Sequence, residues 1–141
     1  REHSFPTRRS SDLPTLAPQR DGRNVVIAEN PEQTLLGRLV LGYDGEEAAE
    51  VATLDGYVAP AAAVCPHSGR TFVLAVRTAD NKAVLFDATQ EWRQISVVAT
   101  ADPVCGAVVV TPAGTLLAFV VRDSVIQPYR SSDDGRTWES V

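Results

Sequence analysis

The sequence predicts an all-β protein built from about three tandem units, each of four antiparallel strands. Short runs rich in Val, Leu, Phe, Ile and Thr alternate with joints of Gly, Pro, Asp, Asn and Ser, which is typical of strands and turns. No segment keeps the apolar period of about 3.6 residues that a helix needs. A turn glycine followed by an apolar run occurs three times, at Gly22, Gly69 and Gly114, with spacings of 47 and 45 residues. A fixed spacing of this length indicates structural repeats.

The second repeat shows its four strands most clearly. They are expected at about 59–65, 70–77, 82–87 and 93–99. The units are expected at about 14–56, 57–102 and 103–141, with about eleven strands in all and the last one cut short after Trp138. Residues 115–121 are apolar without alternation, which favours a strand covered on both faces. Stacked four-stranded sheets repeated in tandem predict a partial β-propeller of about three blades.

Residues 3–13 resemble the translation of a short-read sequencing adapter. This segment has adjacent arginines, three serines and no apolar period, so residues 1–13 are interpreted as an artefactual, disordered tail. The native sequence is then expected to begin near Pro14, and the absence of a signal peptide does not argue for the cytoplasm.

Composition excludes several classes of function. The chain carries 13 basic and 18 acidic residues, with a single lysine, which is unlike a nucleic-acid binder. No apolar stretch is long enough to cross a membrane. Two cysteines and two histidines make no metal signature, and no motif indicates a cofactor.

The repeat register places Cys65 and Cys105 too far apart to pair, and both are predicted to be free and buried.

The sharpest motif spans residues 131–138, Ser-Ser-Asp-Asp-Gly-Arg-Thr-Trp. In a hairpin turn Asp133 can accept hydrogen bonds from amides, Gly135 can adopt a positive φ, and Trp138 can bury its ring. The defined positions of the motif are Ser131, Asp133, Gly135, Thr137 and Trp138. A degenerate copy of the motif keeps Asp87 and Trp92, which precede Asp133 and Trp138 by 46 residues each. Both copies are predicted to be structural.

With this motif, residues 14–141 resemble the sialidase-like superfamily of BNR, or Asp-box, β-propellers. The resemblance implies Asp-boxes on the hairpins between the third and fourth strands of a blade, remote from the catalytic face. Active sialidases of the family use an arginine triad that holds the substrate carboxylate, a tyrosine nucleophile with a glutamate beside it, and an aspartate as acid/base. At the position of the first arginine, this sequence has Ala59 in one repeat and Val104 in the next. No catalytic residue is therefore assigned.

An arginine followed closely by an aspartate occurs at the same place in the second and third repeats. Arg77 and Arg122 recur at the ends of equivalent strands, with Asp80 and Asp123 close behind, so they are candidates for a ligand-binding rim. The alternative for these four residues is a pair of solvated loops.

We therefore expect a fragment of an exported β-propeller, secreted or periplasmic, that serves as a recognition module for glycans or surface partners. One alternative is part of a sialidase-type glycoside hydrolase whose catalytic residues lie in other blades. Another is an assembly scaffold. The fragment itself is not expected to be active.

Overall fold

The computed structural model describes residues 15–18, 24–30, 32–41 and 47–141. The segment interpreted as an artefactual tail, residues 1–13, lies outside these ranges.

Twelve strands form within the described ranges, and no helix occurs there, so the all-β prediction is confirmed. The strands are β1 (Thr15–Pro18), β2 (Asn24–Asn30), β3 (Leu35–Leu41), β4 (Glu47–Asp55), β5 (Tyr57–Val64), β6 (Thr71–Arg77), β7 (Lys82–Asp87), β8 (Arg93–Thr100), β9 (Ala107–Val110), β10 (Leu116–Arg122), β11 (Val125–Ser131) and β12 (Glu139–Ser140). The four strands of the second repeat lie within two residues of their expected bounds.

The strands form three four-stranded antiparallel sheets, in which consecutive strands are neighbours. The first sheet contains β1 to β4, the second β5 to β8 and the third β9 to β12. Within the described residues the sheets do not close into a ring, so closure into a propeller is a proposal and not an observation.

The second sheet is covered on both faces, because alternate residues of a strand point to opposite sides. Val73 and Ala75 of β6 belong to a core shared with Val25, Ile27 and Leu36 of the first sheet. The intervening residues face the third sheet. They form a second core in which Phe72, Leu74, Val76, Ala83 and Leu85 pack with Val108, Leu116, Ala118 and Val120. The three sheets therefore stack in chain order, and β6 is apolar on both faces because both of its faces are covered.

The prediction that residues 115–121 are covered on both faces is wrong within the described part of the chain: Leu116, Ala118 and Val120 are buried, but the alternate residues Leu117, Phe119 and Val121 are only partly buried.

The turns divide between the two ends of the stack. One end, here called the linker end, holds the links between sheets at Gly56 and at 101–106 and the turns at 32–34, 78–81 and 123–124. Backbone hydrogen bonds join these pieces, with Gly56 N donating to Thr34 O and Thr78 N donating to Gly56 O. The other end, here called the Asp-box end, holds the turns at 65–70, 88–92, 111–115 and 132–138.

The cysteine prediction is partly wrong. Cys65 and Cys105 are both free, as expected, but only Cys65 is partly buried and Cys105 is exposed. Cys105 lies in the link between β8 and β9, where the chain passes from one sheet to the next outside the packed faces. At this position, therefore, the apolar character of cysteine did not indicate a buried side chain.

Candidate functional site

The Asp-box hairpin joins β11 to β12, the third and fourth strands of the third sheet. Asp133 organises the turn: its Oδ1 accepts from Thr137 N at 2.9 Å and its Oδ2 accepts from Thr137 Oγ1. Ser131, the last residue of β11, donates to Asp133 Oδ1 and accepts from Gly135 N at 2.9 Å. The hydrogen bonds from Thr137 and Ser131 lower the pKa of Asp133 to about 2. The carboxylate is thus held by its own loop.

Trp138 connects this hairpin to the preceding sheet. Its Nε1 donates to Ser96 Oγ on β8 at 2.9 Å and lies 3.1 Å from Gly135 O. Gly135 has a φ of 86° and lies against the buried side chain of Leu85 on β7. The hairpin therefore packs against the second sheet through the indole of Trp138 and through Gly135, which has no Cβ.

The degenerate copy repeats the tryptophan contact but not the aspartate geometry. Trp92 Nε1 donates to Ala52 O on β4 at 3.3 Å, so this indole also reaches the preceding sheet. Asp87, however, is the last residue of β7, the strand position that Ser131 holds in β11. The connection at 88–92 is shorter than that at 132–138, and this places the two aspartates differently.

Asp87 is instead the centre of an ion-pair cluster. Its Oδ2 accepts from Arg70 Nε at 3.0 Å and from Arg93 Nη2 at 2.9 Å, and its Oδ1 accepts from Thr89 N at 3.0 Å. Burial of Asp87 opposes its charge, but the bonds from Thr89, Arg93 and Arg70 outweigh this effect and lower its pKa to about 2. Arg70 also lies 3.9 Å from Asp134 of the Asp-box hairpin. The cluster therefore joins the second and third sheets.

We expect replacement of Asp87 by asparagine to flatten the acid limb of the stability profile. A carboxyl whose folded-state pKa is depressed stabilises the fold above its unfolded pKa of ~3.9 and loses this contribution as the pH falls towards the folded value. Urea unfolding between about pH 5 and pH 2 measures the effect. Asp87→Asn should lose less stability than the wild type over this range, and parallel profiles would show that the cluster does not stabilise the fold.

Arg38, which no sequence pattern singled out, lies in the apolar strand β3 and is 3% exposed. Its Nε donates to Ala88 O, and its Nη2 donates to Thr89 O, both in the hairpin between β7 and β8. A buried guanidinium of the first sheet thus holds two backbone carbonyls of the second. The local sequence contains no signal for this contact, because the partners are 50 and 51 residues away.

The four predicted rim residues all lie at the linker end. Arg77 forms a two-bond ion pair with Asp80, with Nε to Oδ1 and Nη2 to Oδ2 both at 2.9 Å. This pairing lowers the pKa of Asp80 and raises that of Arg77. Arg122 and Asp123 are both exposed, and the described part of the chain shows no ion pair between them. The structure places the two pairs on equivalent turns of neighbouring sheets.

The two positions where the family resemblance implies an arginine differ in environment. Ala59 is 5% exposed, has a φ of 57° and lies at an irregularity in the pairing of β5 with β6. Its N–H donates to the carboxylate of Glu29 on the first sheet. Val104 is 48% exposed in the link between β8 and β9. Neither position provides a cation for an anionic ligand.

The linker end is acidic. Among the described residues it carries the carboxylates of Glu29, Glu32, Asp55, Asp80, Asp102 and Asp123 and the cations of Arg77, Lys82 and Arg122. These are six negative groups against three positive ones. Asp55, Asp80 and Asp123 are exposed, so part of this charge faces solvent. The field at this end attracts cations and repels anions.

The described ranges contain neither a cluster of side chains placed to hold a metal ion nor a helix that could span a membrane. No group of three or more His, Cys, Asp or Glu side chains there is placed to hold a metal ion. In the same ranges, no helix has the length and apolarity needed to cross a bilayer.

In comparisons with known proteins, the chain matches no protein-family model and no curated protein.

Proposed function

We propose that this chain is part of an Asp-box β-propeller that acts as a recognition module, and that its acidic linker end binds a positively charged surface of a protein partner. The observation that carries the proposal is the excess of carboxylates at one end of the stack. Complementary charge speeds association and selects partners.

The architecture supports the propeller part of the proposal. The sheets stack in chain order, each is a four-stranded meander, and both tryptophans that follow the Asp-box-like hairpins reach the preceding sheet. This repetition is what tandem blades produce. An exported location stays a prediction, and the exposed thiol of Cys105 gives it no support.

The charge at the linker end also bears on the other candidates. A sialoside is an anion, and the two positions aligned with the family's first arginine hold Ala59 and Val104. A glycan of any charge usually stacks on an exposed aromatic ring. The aromatic side chain that the described chain places at this end, Tyr57, is 8% exposed. A cationic protein surface fits this end better than either ligand.

The test is a binding titration of a short lysine-rich peptide, with a glutamate-rich peptide of equal length and a sialyl oligosaccharide as comparisons. We expect the lysine-rich peptide to bind and the other two not to bind. The affinity should fall as salt is added, because exposed charges are screened. A fluorogenic sialoside should remain uncleaved.

Matched double variants show where the peptide binds. Asp55→Asn with Asp123→Asn removes two charges from the linker end, and should weaken binding about fivefold at the ~0.5 kcal/mol typical of an exposed charge. Glu91→Gln with Asp134→Asn removes two charges from the Asp-box end and should have little effect. Each pair contains one aspartate with a positive φ, a conformation that asparagine tolerates. Equal losses in the two pairs, or hydrolysis of the sialoside, would contradict the proposal.

A further inference from the structure

The Asp-box hairpin contains a chemically reactive bond, the peptide bond between Asp134 and Gly135. An aspartate followed by glycine isomerises readily in a free chain, because glycine has no Cβ to hinder attack of its own nitrogen on the aspartate side chain. The side chain of Asp134 is 61% exposed, so water and base reach its carboxyl group. Exposure of the carboxyl therefore does not limit the reaction, and any restraint must act on the nitrogen of Gly135.

Isomerisation proceeds through a five-membered succinimide ring. The nitrogen of Gly135 loses its proton to solvent and forms a bond to Cγ of Asp134, while the Cγ–OH bond of the protonated carboxyl breaks and water leaves. Water then adds to one of the two ring carbonyl carbons and breaks its bond to nitrogen. Addition at Cγ restores aspartate, and addition at the main-chain carbon leaves isoaspartate, which is linked to Gly135 through Cγ. One water is lost and one is gained, so no other reactant is needed.

The hydrogen bond from Gly135 N to Ser131 Oγ opposes ring closure. It is 2.9 Å long, and Ser131 is 1% exposed, so solvent does not compete for it. The nitrogen of a succinimide carries no hydrogen, and the ring therefore cannot form while this hydrogen bond is intact. Ser131 Oγ is itself held in place, because it donates to Asp133 Oδ1 at 2.7 Å.

The packed turn also has no room for the product. Isoaspartate adds one carbon atom to the main chain before Gly135, and even a Cβ on Gly135 would lie 2.3 Å from Leu85 Cδ2 and 3.1 Å from Leu116 Cδ1. The carboxylate of Asp134, now 3.9 Å from Arg70 of the second sheet, would change its point of attachment to the chain. An isomerised hairpin therefore loses its fit against the second sheet.

We propose that the Asp134–Gly135 bond is a modification site, that the hydroxyl of Ser131 keeps it closed in the folded hairpin, and that its isomerisation releases the hairpin from the second sheet. The serine of the Asp-box thus protects the chain chemically in addition to shaping the turn. This role is independent of ligand binding at the linker end.

A second Asp–Gly bond in the described ranges, Asp55–Gly56, provides an internal reference. Gly56 N donates to Thr34 O at 2.7 Å, so the restraint on this nitrogen comes from the first sheet and not from the Asp-box hairpin. Substitutions in the Asp-box hairpin should leave the rate of isomerisation at Asp55 unchanged.

The test is the rate of isoaspartate formation at neutral pH, measured by peptide mapping. Trypsin cuts after Arg130 and Arg136 and so releases residues 131–136 as one peptide. Chromatography separates its isomers, and electron-transfer fragmentation shows which aspartate has changed. The folded wild type should form isoaspartate at position 134 at least about tenfold more slowly than the same chain unfolded in guanidinium chloride, because the reaction has to wait for local opening. Equal rates would overturn the proposal.

Ser131→Ala and Thr137→Val form a matched pair of variants. Each removes one side-chain hydrogen bond to Asp133, but only Ser131→Ala also removes the acceptor of Gly135 N. Ser131→Ala should raise the rate at position 134 about fivefold, the factor that one hydrogen bond typically contributes, and Thr137→Val should leave it near the wild-type rate. If circular dichroism shows that Ser131→Ala does not fold, Ser131→Cys keeps a side chain of similar shape with a weaker acceptor and should also raise the rate. Equal increases in the serine and threonine variants would contradict a specific role of Ser131.

Discussion

Replacement of Gly135 by alanine is expected to lower the free energy of unfolding by about 3 kcal/mol. Gly135 has a φ of 86°, a conformation that costs an L-residue ~1 to 2 kcal/mol. A Cβ at this position would lie 2.3 Å from Leu85 Cδ2 and 3.1 Å from Leu116 Cδ1. Both leucines are fully buried, so neither can move away without disturbing the packing between the second and third sheets.

Gly114→Ala is the control for this substitution. Gly114 has nearly the same φ, 87°, but no atom lies within 4 Å of a Cβ built there. Its replacement should cost only the conformational part, about 1 kcal/mol. Urea unfolding of the two variants therefore isolates the contribution of packing. Equal losses of stability would show that the Asp-box turn does not fit against Leu85 as described.

Replacement of Arg38 by methionine is the second large effect, also expected at about 3 kcal/mol, because hydrogen bonds to a charged group are worth ~1.5 to 3 kcal/mol each. Methionine keeps much of the side-chain volume but cannot donate to Ala88 O and Thr89 O. Ala88 is fully buried, so water cannot easily replace the lost donor.

Arg93→Met is the matched control for Arg38→Met. Arg93 also donates to a neighbour, Asp87, but its side chain is 67% exposed. Exposed ion pairs contribute about 0 to 1 kcal/mol, so the loss should be small. Urea midpoints at neutral pH, with unchanged slopes, measure both variants. A loss for Arg38→Met no larger than that for Arg93→Met would indicate that the guanidinium of Arg38 does not hold the hairpin.

The sequence predicted the features that depend on local pattern. Strand composition, turn residues and the repeat spacing indicated the all-β class and the four strands of the second repeat to within two residues. Such patterns lie within one strand or one turn, and so they can be recognised in a single sequence.

Features that depend on distant partners could not be predicted in this way. Arg38 appeared only as a charge in an apolar run, since the carbonyls that it binds belong to another sheet. Asp87 was aligned with Asp133 by its distance from the tryptophan, but hairpins of different length place the two carboxylates differently. Cys105 was expected to be buried, and a link between sheets exposes it.

The three sheets stack through two apolar cores, and at each interface one hairpin tryptophan reaches the preceding sheet. Nuclear Overhauser effects from the two indole N–H protons test this stacking most directly. The structure predicts cross-peaks from Trp92 to Ala52 and from Trp138 to Ser96, since the heavy atoms involved lie 3.3 Å and 2.9 Å apart. Indole protons that exchange rapidly with water and show no cross-peak to β4 or β8 would contradict the stacking.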